Sequence, residues 1–181
     1  VYSDTAYEPT CEYIKNPDRF FMILGAITRS YTYSIPKDPQ VPLTPFVLNK
    51  SGRLETMEEH MMRLKLWQKF VPSPAISYEY HFWRHQHRDP GGLYIARRIY
   101  EDIRGLKSVD MDGYVEDGSQ RSFFPNGFAI YVYAETLLNR ELDYQKALED
   151  YYTALYGDDR DAVLTYLAGI TEAFSFAYME G

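Results

Sequence analysis

The sequence predicts an α/β fold: a parallel sheet of about four strands alternating with helices, then an all-helical tail. Three observations carry this reading. Extended apolar or aromatic segments alternate with stretches of helical periodicity. Four of the extended segments, Val1–Glu8, Phe20–Arg29, Pro74–Arg84 and Met111–Asp117, end in clusters of carboxylates, aromatics or basic groups. Beyond Phe123 only helical patterns remain. Polar groups gathered at the C-terminal ends of successive strands form the active face of an α/β barrel. On spacing alone, about four strands fit either half of a (β/α)8 barrel or a small open sheet.

The first strand is expected at Val1–Ala6, closed by Glu8-Pro9, because the residue before proline is pushed out of helical geometry. Phe20–Thr28 is a continuous apolar run of strand length, expected to be buried on both faces. Pro36, Pro39, Pro42 and Pro45 make the next segment a loop. Met57, Met61, Leu64 and Phe70 share one side of a helix expected over Leu54–Phe70, which Pro72 and Pro74 stop. Ala75–Phe82 alternates and is aromatic and β-branched, as a strand is. Pro90-Gly91-Gly92 leads into a helix over Leu93–Leu106 with Ala96, Ile99, Ile103 and Leu106 as its stripe. Gly113–Val115 falls in the last short strand.

In the tail, a helix opens after Phe124-Pro125-Asn126-Gly127. Asp143 caps a second that Gly157 ends, with Ala147, Leu148, Tyr151 and Leu155 on its inner face. A third begins at Asp158 or Asp159, with a stripe of Ala162, Val163, Tyr166, Leu167, Ile170 and Phe174. The expected division is residues 1–122 as a partial barrel and 123–181 as a helical subregion packed on it.

Composition narrows the function. A net charge of −7 argues against nucleic acid, which needs a basic footprint. The longest apolar stretch, Phe20–Ile27, falls far short of the roughly 20 residues that span a bilayer, so no membrane span is expected. The single Cys11 excludes an internal disulfide framework. Aromatics are the outlier, with 18 Tyr, 10 Phe and 2 Trp. Most belong in a core. Those at loop mouths (Tyr7, Tyr31, Tyr33, Tyr80, Phe82, Trp83, Tyr114, Phe123 and Phe124) suit the flat face of a sugar ring, with the tyrosine hydroxyl bonding its rim.

Glu79, in Tyr78-Glu79-Tyr80-His81, is a strand-end carboxylate ringed by aromatics, and desolvation there would raise its pKa as a general acid requires. The alternative is a salt bridge to Arg84 or Arg88. Glu116 and Asp117 form the second carboxylate pair. Adjacent strand residues point oppositely, so one of the two faces the site and Asp117 suits a cap on the Gly118 turn. Asp4 and Glu8 are weaker candidates. Two carboxylates, one an acid and one a base or nucleophile, are the minimum for glycoside hydrolysis. Arg29 either binds a carboxylate and orients a catalytic acid, or pairs with Asp4 or Glu8. His81, His85 and His87 invite a metal reading. With no HExxH, no CxxC and no second histidine cluster, a structural or substrate-contacting role fits better, and neither metal nor other cofactor is expected. Trp83 either stacks on a sugar or packs in the core.

Asp112–Gly118, Phe124–Gly127, Leu137–Arg140 and Tyr151–Gly157 together resemble the family called domain of unknown function 4838. That family occurs in large bacterial proteins similar to the α-glucuronidase and hexosaminidase group of barrel glycoside hydrolases. The resemblance implies the C-terminal half of a (β/α)8 barrel with a helical appendix, a carbohydrate partner, and a secreted or cell-surface setting. It further implies that an essential acid following the fourth barrel strand lies upstream of Val1, which would leave this segment inactive alone. Glu79 and Glu116 are then the catalytic candidates, and Arg29, Tyr80, His81, Trp83 and Asp117 line the sugar site. A non-catalytic carbohydrate-binding or scaffold domain is the rival reading. A third is a self-contained α/β domain that dimerises, since a half barrel exposes sheet edges.

Overall fold

The computed structural model describes residues 5–48, 54–125 and 127–181. It overturns the four-stranded half barrel. Among the described residues there is one three-stranded parallel sheet, built from β1 (Ile23–Gly25), β2 (Ala75–Glu79) and β3 (Met111–Glu116) in that order. Of the strand expected at Val1–Ala6, Val1–Asp4 lie outside the described residues, and Thr5 and Ala6 are not extended in a ladder. The chain divides into two compact units, Val1–Glu79 with Gly105–Val115 and Tyr80–Arg104 with Glu116–Gly181.

The first unit holds the sheet, except Glu116 at the end of β3, and α1 (Met57–Trp67). β1 pairs with β2 through Ile23↔Ile76, Leu24↔Ser77 and Gly25↔Tyr78. The run Phe20–Thr28 forms only three residues of strand and is not buried on both faces. Met22 and Leu24 are buried while Phe21 and Ile23 are exposed, the alternation of a half-covered strand. The strand stops because the chain turns at Ala26–Arg29, where the Arg29 amide donates to the Ala26 carbonyl at 3.0 Å. β2 buries Ala75, Ser77 and Glu79 on one face and ends at Glu79, short of the expected Phe82. Gly113 of β3 has no room for a side chain, since a Cβ there would come within 2.9 Å of Ile76.

The Thr56 hydroxyl caps α1 by accepting from the Glu59 amide at 3.3 Å, leaving one fewer orphan donor in the first turn. Met57, Met61 and Leu64 supply the buried stripe. Glu59 and Arg63 are also buried, and for a polar reason: Glu59 accepts from the Thr44 amide at 2.6 Å, and Arg63 donates to Glu8 at 2.9 Å. Arg63 also lies over the Tyr7 ring and donates to the Thr44 carbonyl, so one helix residue ties down two loop segments.

The second unit is helical: α2 (Leu93–Gly105, its last residue falling in the first unit), α3 (Gly127–Leu138), α4 (Tyr144–Tyr156), α5 (Arg160–Ala173) and α6 (Phe176–Glu180). The stripe Ala96, Ile99 and Ile103 of α2 is buried as its spacing requires. Asp143 caps α4 through the Lys146 amide at 3.0 Å. Phe128 of α3 meets the rings of Tyr144, Tyr151 and Tyr152 of α4 with centroids 5.3–5.7 Å apart, so aromatic contacts fix that helix pair. The stripe expected on α5 is not a buried face. Leu167 is buried, but Tyr166 and Phe174 are exposed. Among the described residues no helix is long and apolar enough to cross a membrane.

Candidate functional site

The catalytic candidates Glu79 and Glu116 fall in two buried charge clusters, one in each unit. In the first, Glu79 is fully buried at the end of β2. Ser77 lies two residues earlier, on the same strand face, and its hydroxyl donates to Oε1 of Glu79 at 2.7 Å. Arg29, just past the turn that ends β1, donates from Nη1 to the same oxygen at 3.2 Å. The Tyr31 hydroxyl donates to Oε2 at 2.9 Å, and the Arg29 guanidinium lies over the Tyr31 ring at 4.3 Å. The other guanidinium nitrogen of Arg29 donates to the Tyr33 carbonyl at 3.3 Å. Arg29 and Glu79, both singled out from the sequence, therefore meet as an ion pair. Arg84 and Arg88 are not the partners of Glu79. Glu8 pairs with Arg63 instead of Arg29, and Asp4 lies outside the described residues.

In the second unit, His81 is fully buried between two carboxylates. Its Nδ1 bonds to Oε1 of Glu116 at 2.6 Å, and its Nε2 to Oδ2 of Asp102 at 3.1 Å. Both carboxylate side chains are buried as well. Burial alone would push the imidazole pKa down. The Glu116 charge, hydrogen bonds to Asp102 and Glu116 and the Asp102 charge outweigh it and raise the pKa to about 9. At neutral pH, His81 is an imidazolium that donates from both nitrogens. The cluster then carries one cation against two anions.

The remaining candidates scatter around this second cluster. Tyr80 is buried and its ring lies 5.9 Å from that of Trp83. Arg84 covers a face of Trp83 at 5.4 Å. Asp117 is half-buried in the turn after β3. Gly118 follows with φ +82°, and a Cβ there would come within 3.0 Å of the Phe82 carbonyl and the Trp83 backbone. Of the loop-mouth aromatics, Tyr31, Phe82, Tyr80 and Tyr114 are core residues, while Tyr33, Phe123 and Phe124 present exposed rings.

The histidines do not form a metal centre. Both nitrogens of His81 are taken by carboxylates, the Nδ1 of His85 lies 3.6 Å from Glu180, and His87 is exposed. Among the described residues no group of three or more His, Cys, Asp or Glu side chains converges to hold a metal ion.

Two members of these clusters, Asp102 and Ser77, went unnoticed in the sequence, and Tyr31 stood out only as a loop-mouth aromatic. Asp102 carried a signal: it sits three residues after Ile99 on the buried stripe of α2, where a carboxylate needs a partner. Ser77 shares the inward parity of Glu79. The contact of Tyr31 with Glu79 had no such mark, because the turn that brings them together is not written in any periodicity. Comparison with protein-family models, with curated proteins and with solved structures finds no match.

Proposed function

We propose that this chain binds carbohydrate without cleaving it, as a non-catalytic domain of the glycoside hydrolase-like proteins that its sequence resembles. The observation that supports this reading is the chain of contacts Glu79–Arg29–Tyr33. Both oxygens of Glu79 are engaged by donors within the protein, which removes it as a free acid or base. Its partner Arg29 holds the backbone of Tyr33, whose ring is 67% exposed. A flat aromatic face on a loop pinned from below is a sugar-stacking platform that loses little freedom on binding. Glu79 and Arg29 serve it as positioning residues.

Binding to a panel of soluble glycans, measured by calorimetry, tests this. Tyr33→Ala weakens binding about fivefold, while Tyr33→Phe stays close to the parent, since stacking of this kind contributes about 1 kcal/mol. Glycan affinity unaffected by Tyr33→Ala, or no affinity for any glycan, overturns the reading.

One observation favours turnover instead. Nδ1 of His81 lies 2.6 Å from Glu116, and a cation beside a carboxylate favours its ionised form, the form that the nucleophile of a retaining glycosidase takes. Hydrolysis of aryl glycosides that is lost in Glu116→Gln, with glycan binding retained, would establish this second reading over the first.

A further inference from the structure

We propose that residues 39–48 form a polyproline II recognition strip, presented to a partner protein whose groove is lined by aromatic rings. The proposal is independent of the carbohydrate reading. Its first support is a spacing. Pro36, Pro39, Pro42 and Pro45 stand at every third position. Polyproline II has three residues per turn, so prolines at that interval line one edge of it. Each ring fixes its own φ at about −65° and pushes the residue before it into extended or polyproline II geometry. Two of every three residues are thereby confined to that conformation before anything packs on them. After a bend at Lys37 and Asp38, residues 39–47 run without a turn or bend, as this requires.

The second support is how α1 holds the strip, both lying in the first unit. The tethered residues are Asp38, Val41 and Thr44, again every third one. They meet Lys65, Met62 and Glu59 of α1, also three apart and in reverse order. Lys65 donates to Asp38 at 3.3 Å, and the Val41 amide donates to the Met62 sulfur at 3.2 Å. The amide and hydroxyl of Thr44 donate to the two oxygens of Glu59 at 2.6 and 3.0 Å. Helix residues three apart are neighbours, and so are every third residues of polyproline II, so the two periods match. The tethers use only the edge that carries the residues before the prolines. Pro39 is buried, but Pro42, Pro45, Phe46, Val47 and Leu48 are exposed.

The chemistry of the strip selects the occupant. Residues 39–48 carry no charge, in a chain of which 25% is charged, so a charged partner finds nothing to pair with. A partner strand cannot extend a ladder along it, because Pro42 and Pro45 lack the amide donor. What remains on offer is proline rings at a fixed interval, an aromatic ring at Phe46 and backbone carbonyl acceptors. A groove of aromatic side chains reads that combination. The Phe46 ring is already steadied by Tyr7, with centroids 5.3 Å apart. Prolines and tethers together hold the strip in one shape before binding, so little freedom is lost when it docks.

The test is nuclear magnetic resonance of the whole chain, isotope-labelled and titrated with a panel of SH3, WW and EVH1 domains, which carry such grooves. At least one domain binds, and the amide signals that move centre on Gln40, Leu43 and Phe46. Pro42→Ala and Pro45→Ala each weaken that binding about fivefold or more, as the loss of a central contact does. Pro36→Ala, on the far side of the bend, changes it by less than about twofold. Absence of binding by every domain overturns the proposal. So does binding that moves signals elsewhere in the chain and leaves the strip unshifted, or that is indifferent to Pro42→Ala and Pro45→Ala. The signals of the parent chain decide the matter even if a variant does not fold.

Discussion

His60 and His81 are both buried histidines, one in each unit, and they hold opposite charge states. His60 lies on α1 with Nε2 3.2 Å from the Leu54 carbonyl and 3.5 Å from the Thr28 hydroxyl. Desolvation pushes its pKa down to about 4; the Leu54 hydrogen bond and Glu59 resist, and Arg29 adds to the lowering. His81 is at least as deeply buried, yet its pKa stands at about 9. The difference is the partner. A backbone carbonyl satisfies a neutral imidazole, whereas two carboxylates demand an imidazolium. Burial decides that a histidine must choose a state, and the groups around it decide which.

The first way to break the comparison is to remove the cation. His81→Leu leaves Asp102 and Glu116 as buried carboxylates without their shared donor, and destabilises the second unit by about 3–5 kcal/mol at pH 7. The loss depends on pH. A folded pKa of about 9 against 6.5 unfolded means that the contribution of His81 is complete below pH 6.5 and is lost as pH rises through 9. Urea midpoints of parent and variant should therefore converge between pH 7 and pH 9.5. Equal differences at both pH values would show that His81 contributes through packing and not through charge.

The sequence made part of the fold legible, and the contrast between the two histidines not at all. The helices over Met57–Trp67, Leu93–Gly105 and Tyr144–Tyr156 follow from apolar periodicity and caps such as Asp143, because both are local. The first two strands are shorter than the apolar and aromatic runs that mark them. Phe20–Thr28 looked continuous because apolar composition is blind to which face is covered, and the turn at Ala26–Arg29 cuts it to three residues. The α5 stripe shows the same limit, since periodicity marks an apolar face without saying that anything covers it. Glu79, Arg29, Glu116 and His81 stood out as residue types at strand ends, but their pairing did not. Which carboxylate meets which cation depends on tertiary geometry that a one-dimensional pattern does not contain. Asp102 is the exception that could have been found, as a carboxylate on an otherwise apolar stripe.

A smaller effect tests the opposite histidine. Between pH 6.5 and 4 the unfolded chain binds a proton at His60 that the folded first unit refuses. Stability therefore falls as the pH drops through that window, by roughly 3 kcal/mol from this residue alone. His60→Gln keeps a donor for the Leu54 carbonyl and removes the titration. Urea midpoints at pH 7 and pH 4.5 should then differ less in the variant than in the parent, and the variant's advantage should appear on the acid side only. An advantage that grew towards alkali would place His60 in the same class as His81 and end the contrast.

The smallest effect separates burial from hydrogen bonding as the cause of the His60 shift. Thr28 donates its hydroxyl to the Leu54 carbonyl and lies at the edge of contact with His60. Thr28→Val keeps the shape and leaves the carbonyl to His60 alone, at a cost of about 1 kcal/mol, the net value of one such bond. If desolvation sets the charge state, His60 still titrates near 4 in this variant, because the ring is as far from water as before. Carbon shifts of the His60 ring followed from pH 7 to 3 measure this directly. A midpoint returning towards 6.5 would mean that the Thr28–Leu54 pair, and not burial, keeps His60 neutral. The two histidines would then differ only in the polarity of their nearest neighbour.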